Sequence, residues 1–243
     1  MEELIAWFNK IPICTKFLFT NCVLISLLIN IFPFVLAFLY KSSTLSFWSP
    51  QSILLEVLTI VLNTHMSLFL LPFNLDGAFQ LYFLCQCSRD VETTKFSGRT
   101  ADYIVFLLFE VLTILILGWL GWYTRGLVLL NQSLIMAIIC TWSLYNRQDY
   151  VNFLFGIRFK GVYLPFVLLM FDMLVISGIP WGLLIGIITG YLYYYLKELG
   201  FLNTPRLLYR YFPRTSIRYV NQDQRVDFSY WGYWSIYRYG LIY

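Results

Sequence analysis

Long stretches without charged residues constrain the fold of this 243-residue chain more than any other feature. One of them runs from Trp181 to Leu196, and as a helix its 16 residues would nearly span the hydrocarbon core of a bilayer. Several further apolar stretches precede it along the chain. Only 12% of all residues are charged, about half the share in a soluble domain. The sequence therefore predicts an integral membrane protein that crosses the bilayer several times.

The apolar stretches predict an all-α fold with six transmembrane helices. They are Phe17–Tyr40, Met66–Cys87, Tyr103–Tyr123, Gly126–Trp142, Val162–Gly178 and Trp181–Leu196. Asn74, Asp76 and Gly77 interrupt the second span, and Ile53–Leu62 before it is expected to be a surface or re-entrant helix. The expected organisation is an interfacial segment (1–16), a six-span membrane domain (17–196) and a C-terminal tail (197–243).

The distribution of positive charge predicts the orientation. Six crossings place both termini on one side, together with the 88–102 and 143–161 loops. That side would hold 15 of the 17 Lys and Arg residues, and the other side only Lys41 and Arg125. The positive-inside rule then places both termini in the cytosol, or in the matrix if the membrane is mitochondrial.

Residues that could carry chemistry are few. The cysteines Cys85 and Cys87 are too close for a thioredoxin-type motif, and no second Cys/His pair completes a zinc site. We therefore expect no metal and no cofactor. Acidic residues at membrane depth are candidates for function by default, but no pattern assigns them a role. They are Glu56, Asp76, Glu110 and Asp172.

Three glycines share one face of the sixth predicted helix. Gly182, Gly186 and Gly190 recur every four residues, and small residues at this spacing let a second helix backbone approach closely. Two interpretations are open at this point. The face packs against a neighbouring helix, or it is the remnant of an active site.

The polar loop before the third span contains the sequence FSGRTADY, residues 96–103. Thr100 or Ser97 can cap the third helix, and Asp102 lies near its N-terminus, where the helix dipole favours a carboxylate. Arg99 can pair with Asp102 or with a lipid phosphate. These residues predict an ordered loop in which their roles are structural.

This loop resembles that of the derlin family, which carries a GRTAD-type sequence before its third span. The matching residues are Gly98, Arg99, Thr100, Ala101 and Asp102. Segments 11–24, 81–96, 141–157, 186–198 and 202–208 are also similar, so the resemblance covers residues 10–210. It implies six helices in the rhomboid arrangement without protease activity. It further implies a role in the degradation of misfolded endoplasmic-reticulum proteins, which derlins help to move to the cytosol.

Catalysis by a rhomboid protease needs a Ser in the fourth span and a His in the sixth, because a buried hydroxyl is a poor nucleophile without a base. Ser133 lies in the fourth span, but Gly190 is followed by Tyr191 where derlins typically have Gly-His. The only histidine is His65, outside that helix. We therefore expect no enzyme, which favours the packing interpretation of the glycine face.

Two family features are missing, and they leave a second function open. The Trp-Arg pair that derlins carry before the second span is absent, and the C-terminal box for the cytosolic unfoldase is not recognisable. The alternative is a derlin-derived structural subunit of a large membrane assembly, such as a respiratory complex of the mitochondrial inner membrane.

The C-terminal tail is unusually aromatic, with 12 aromatic residues in Tyr209–Tyr243. Disordered tails are poor in such residues, whereas interfaces are rich in them. We expect the tail to dock on a partner subunit or on the chain's own membrane domain through Phe228, Trp231, Trp234 and Tyr237. The expected partners are other membrane subunits in a hetero-oligomer and the lipid bilayer, without nucleic acid.

Overall fold

The computed structural model of the chain describes residues 8, 11–32, 65–71, 75–96, 99–125, 130–152, 157–176 and 179–212. Most of this part is helical. The helices are α1 (Ile13–Ile31), α2 (Leu75–Asp90), α3 (Thr100–Arg125), α4 (Leu130–Tyr145), α5 (Leu164–Ile176), α6 (Trp181–Glu198) and α7 (Arg206–Tyr211). A π-helical turn, Val91–Lys95, extends α2, and a 3-10 turn, Gly161–Tyr163, precedes α5.

Helix α4 is the centre of the fold. Its residues from Asn131 to Leu144 are buried, with the exception of the partly exposed Gln132. It contacts α2, α3, α5 and α6, and its contact with α6 is the most extensive between any two elements described. Its buried residues include the polar side chains of Asn131, Ser133, Thr141 and Ser143, which lipid would not solvate, so a central position in the bundle suits this helix.

The outer surface of the bundle is apolar. On α3 the side chains of Leu108, Leu112 and Ile116 are 61%, 59% and 54% exposed, and their spacing of four residues makes them one stripe. Soluble surfaces rarely carry such stripes. Among the described residues, Ile13–Ile31 and Thr100–Gly118 are long and apolar enough to cross a membrane, and Leu130–Tyr145 and Gly161–Leu174 are shorter apolar helices. Six crossings therefore remain a prediction.

Two features differ from the sequence-based prediction. The fold is not purely α-helical, because Tyr150–Asn152 (β1) and Arg158–Lys160 (β2) form an antiparallel hairpin in the 143–161 loop, with Val151 opposite Phe159. The second predicted span is interrupted at residues 70–71, before the expected interruption at Asn74, Asp76 and Gly77, of which Asn74 lies outside the described residues. Residues 65–69 are helical, residues 70–71 are not, and Asp76 and Gly77 lie inside α2. The predicted Ile53–Leu62 helix lies outside the described residues.

Candidate functional site

A buried carboxyl group closes the N-terminus of α1. Glu92 Oε2 accepts hydrogen bonds from the backbone N–H (2.9 Å) and the hydroxyl (2.8 Å) of Thr15, and Oε1 accepts from the N–H of Cys14 (3.3 Å). The residue before α1, Pro12, provides no side-chain cap. Helix N-termini leave backbone N–H groups without partners, and here a residue 77 positions later in the chain supplies the acceptor.

The hydrogen bonds continue from this carboxyl group into α2 and α3. Thr15 Oγ1 lies 2.9 Å from Ser88 Oγ, which in turn lies 2.6 Å from the hydroxyl of Tyr103. Because a carboxylate only accepts, Thr15 donates to Glu92, so Ser88 donates to Thr15 and Tyr103 to Ser88. All four side chains are buried. The network joins three helices through polar groups that satisfy one another.

The charge of Glu92 depends on opposing effects. Burial raises the pKa of its carboxyl group, while the hydrogen bonds from Thr15 and Cys14 lower it. The net direction is upward from the ordinary value. Protonation of Glu92 therefore becomes easier in the folded protein than in the unfolded chain.

A second cluster surrounds Asp102 in the first turn of α3. Its carboxylate accepts a hydrogen bond from Thr204 Oγ1 (2.6 Å) and another from the hydroxyl of Tyr209, and it pairs with Arg99 Nε at 3.3 Å. The hydrogen bond to Asp102 is the main reason that the pKa of the Tyr209 hydroxyl is raised. These contacts attach α7 and the segment before it to the start of α3.

The start of α3 corrects one sequence-based expectation. The helix begins at Thr100, so Thr100 is its first residue rather than its cap. The carbonyl of Arg99 accepts the N–H groups of Asp102 and Tyr103, which places Arg99 at the cap position. Ala101 is fully buried. Gly98 and the alternative cap Ser97 lie outside the described residues.

The contacts described so far lie on one face of the bundle. The segments that meet there are the N-terminus of α1, the 88–96 segment, the start of α3 and residues 204–209. The Lys95 ammonium lies 3.9 Å from the ring centroid of Tyr145 at the end of α4 and adds that helix end to the group. These are segments that the charge distribution predicts to share a side of the membrane.

The glycine face of α6 lies against α4. A Cβ atom at Gly186 would lie 2.5 Å from the carbonyl oxygen of Ser133, and one at Gly190 would lie 2.8 Å from Cys140 Cβ. Real Cβ atoms do not approach other atoms this closely, so both positions require glycine at the present helix separation. Gly182 is buried on the same helix. This geometry agrees with the packing interpretation.

Ser133 lies in this helix contact rather than in an open site. Its hydroxyl is fully buried and has no hydrogen-bond partner within the described part of the chain. The ring of His65 lies 4.9 Å from the ring of Phe69, in the short helical segment before α2. No imidazole from α6 can accompany Ser133, because the chain has a single histidine.

Three buried polar features were not anticipated as contacts. Glu110 is fully buried in α3, where one carboxyl oxygen accepts from Thr141 Oγ1 at 3.4 Å and the other has no partner among the described residues. Trp142 donates its indole N–H to Asp90 and ties the end of α4 to the end of α2. Glu92 had no sequence signal beyond being an acid in a polar loop.

The predicted tail contacts Phe228, Trp231, Trp234 and Tyr237 lie outside the described residues.

Comparisons with known proteins give one consistent relationship. The model of the Der1-like family matches residues 11–223. Derlin-1 of Homo sapiens is 35% identical over 88% of this chain and 84% of the human protein. Derlin-1 of Drosophila melanogaster is 30% identical over 86% and 84%, and Derlin-2.2 of Zea mays is 30% identical over 79% and 76%. The resemblance inferred from the GRTAD loop is thus confirmed, and the chain belongs to the Der1-like family.

Proposed function

We propose that this chain is a non-catalytic, six-span derlin of the endoplasmic reticulum that helps to move misfolded proteins to the cytosol for degradation. The observation that carries the proposal is the Der1-like match over residues 11–223, which includes the whole of the predicted membrane domain (17–196). In the proposed orientation both termini, the Glu92 network and the Asp102 cluster face the cytosol.

The contact between α4 and α6 supports the non-catalytic part of the proposal. A serine protease needs a base within hydrogen-bond reach of its nucleophile. The Ser133 hydroxyl has no such partner in the described structure, and the nearby α6 positions are glycines packed against the α4 backbone. We therefore assign Ser133 to the packed core of the bundle.

The lengths of the central helices support an action on the bilayer. Helix α4 has 16 residues, which is roughly 24 Å at 1.5 Å per residue, whereas a typical hydrocarbon core is about 30 Å thick. Short spans thin the bilayer around them. A thinned bilayer lowers the barrier for a polypeptide segment to cross, which is the step that the proposed function requires.

The test is a chase experiment in cells depleted of the protein. We expect the half-life of a misfolded luminal protein to increase on depletion and to recover with the wild-type chain. The Ser133→Ala variant should restore degradation to the same extent as the wild-type chain. A fluorophosphonate probe should not label the purified protein. An unchanged half-life on depletion contradicts the degradative role, and labelling that Ser133→Ala abolishes contradicts the non-catalytic role.

A second candidate function is a structural subunit of a large membrane assembly, and the aromatic composition of the tail favours it. Cell fractionation would show whether the protein lies in the endoplasmic reticulum or in the mitochondrial inner membrane. Deletion of Asp227–Tyr243 separates the two functions. A structural subunit should be lost from its complex while its membrane domain still inserts, whereas a derlin that acts through its spans should keep most of its degradative activity. Retention of every co-purifying partner by the truncated chain contradicts the docking role of the tail.

A further inference from the structure

We propose that a cavity at the ends of α4 and α6 binds the headgroup of a zwitterionic phospholipid such as phosphatidylethanolamine. The cavity is open to the surface and has a volume of about 370 Å³, within the range of small-molecule sites. Its lining residues are Lys95, Leu144, Tyr145, Asn146, Arg147, Gln148, Asp149, Tyr194 and Glu198. The proposal depends on the membrane location of the bundle but not on its role in degradation.

Two cations in the lining are held by aromatic rings. The Lys95 ammonium lies 3.9 Å from the ring centroid of Tyr145, and the Arg147 guanidinium lies 4.7 Å from that of Tyr194. Arg147 Nε also donates to the carbonyl of Leu144 at 3.0 Å. Within the described residues neither cation forms an ion pair with a carboxylate. Their remaining N–H groups can therefore donate to phosphate oxygens, the acceptors that Arg and Lys commonly bind.

Two carboxylates in the same lining argue against a simple anion as the ligand. Asp149 and Glu198 balance the charges of Lys95 and Arg147, so the lining has no net formal charge. The C-terminal ends of α4 and α6 add negative dipole ends at this place. An ammonium group beside the phosphate would pair with these acceptors. A headgroup that carries both charges fits the lining better than an anionic one.

The cavity wall is fixed by contacts of its own. The N–H of Gly161 donates to the carbonyl of Asp149 at 2.7 Å, and a Cβ at Gly161 would lie 2.6 Å from the carbonyl oxygen of Asn146. The turn that carries Arg147 is thus packed against the backbone that enters α5. The hydrogen bond from Trp142 to Asp90 holds the neighbouring end of α2. A pre-formed wall reduces the ordering that a ligand must induce.

A stripe of exposed apolar side chains on α6 runs beside the cavity. Ile188, Leu192 and Tyr195 of α6 and Leu199, directly after the helix, are 53%, 41%, 59% and 69% exposed, and their spacing of three to four residues places them on one side. The ring of Tyr195 lies 5.8 Å from that of Tyr194 in the cavity lining. Acyl chains can lie along this stripe while the headgroup occupies the cavity. This continuity identifies the occupant as a whole lipid rather than a free headgroup.

Lipid binding can be measured by native mass spectrometry of the full chain in detergent, titrated with phosphatidylethanolamine. We expect Lys95→Gln and Arg147→Gln to weaken binding about tenfold each, because each removes charged hydrogen bonds to the phosphate. Lys160→Gln is the matched control, since Lys160 is an exposed cation outside the cavity. Wild-type affinity in the Lys95 and Arg147 variants, or an equal loss in the control, would overturn the proposal.

The identity of the ligand is tested by a charge change and by a soluble analogue. Glu198→Gln should reduce the preference for phosphatidylethanolamine over phosphatidylglycerol, an anionic lipid without an ammonium group, about fivefold or more, because the ammonium loses an anionic partner. Glycerophosphoethanolamine, the soluble headgroup, should bind much more weakly than the lipid. An unchanged preference in Glu198→Gln contradicts the zwitterionic assignment. Equal affinity for the soluble headgroup contradicts the lipid as its source.

Discussion

A single methyl group at position 186 would decide how closely α4 and α6 can pack. We expect Gly186→Ala to lower the free energy of unfolding by about 1–3 kcal/mol, as is typical of an overpacked core. The added Cβ would lie 2.5 Å from a backbone oxygen of Ser133, which cannot move without shifting α4. The measurement is a denaturation titration in mixed micelles.

Gly118→Ala provides the matched control for this helix contact. Among the described residues, an added Cβ there would meet only the side-chain tip of Leu130, at 2.9 Å, and a flexible tip can rotate away. The control should therefore lose much less stability than Gly186→Ala. Equal stability of the wild type and Gly186→Ala would show that the close helix contact lies elsewhere.

The Glu92 network predicts a defined pH dependence. Because the pKa of Glu92 is raised on folding, the folded state holds more protons than the unfolded chain between the ordinary value near 4.5 and the raised value. The contribution of Glu92 to the free energy of unfolding therefore falls as the pH rises through that window. We expect the stability difference between wild type and Glu92→Gln to decline over the same interval. A difference that is constant from pH 4 to pH 8 would contradict the raised pKa.

At the scale of elements, α7 is held by one carboxylate. We expect Asp102→Asn or Tyr209→Phe to increase amide hydrogen exchange in Arg206–Tyr211 about tenfold, because each weakens a hydrogen bond from this segment to α3. Arg210→Gln, which changes an exposed side chain of the same helix, should leave the exchange unchanged. Wild-type exchange in both Asp102 and Tyr209 variants would show that α7 is held by other contacts.

The sequence predicts the elements well where the signal is local. The bounds of α6 differ from the predicted span by two residues at one end, because an uncharged run and its flanking charges define a helix by themselves. The interruption at residues 70–71 precedes the polar residues Asp76 and Gly77 that predict it, because it falls on two leucines that carry no polar signal. The hairpin was missed because its strands have three residues each and little periodicity.

At the scale of the whole molecule, local patterns carry less information. The bond between Glu92 and α1 and that between Asp102 and Tyr209 join residues 77 and 107 positions apart. Spacing and propensity do not encode such pairs, so the motif loop was recognised while its partners were not. The family relationship could be inferred because GRTAD lies in a longer matching context.

The topology is the prediction that belongs to the whole chain. A glycosylation acceptor in residues 41–50 should be modified in microsomes, whereas one added after Tyr243 should not, because six crossings place the C-terminus in the cytosol. An acceptor placed in the 88–102 loop should also stay unmodified and serves as the internal control. Modification of the C-terminal acceptor would contradict the even number of crossings.

The Glu92 cap has a consequence for the time course of biosynthesis. The chain is made from its N-terminus, so the first turn of α1 is synthesised 77 residues before the carboxyl group that caps it. At about 5–20 residues per second, the ribosome needs roughly 4–15 seconds to add that length. During this interval the uncapped backbone of Cys14 and Thr15 can be satisfied only by headgroup water. The cap of the first helix therefore forms only after the second helix has been made, and until then water holds its place at the membrane surface.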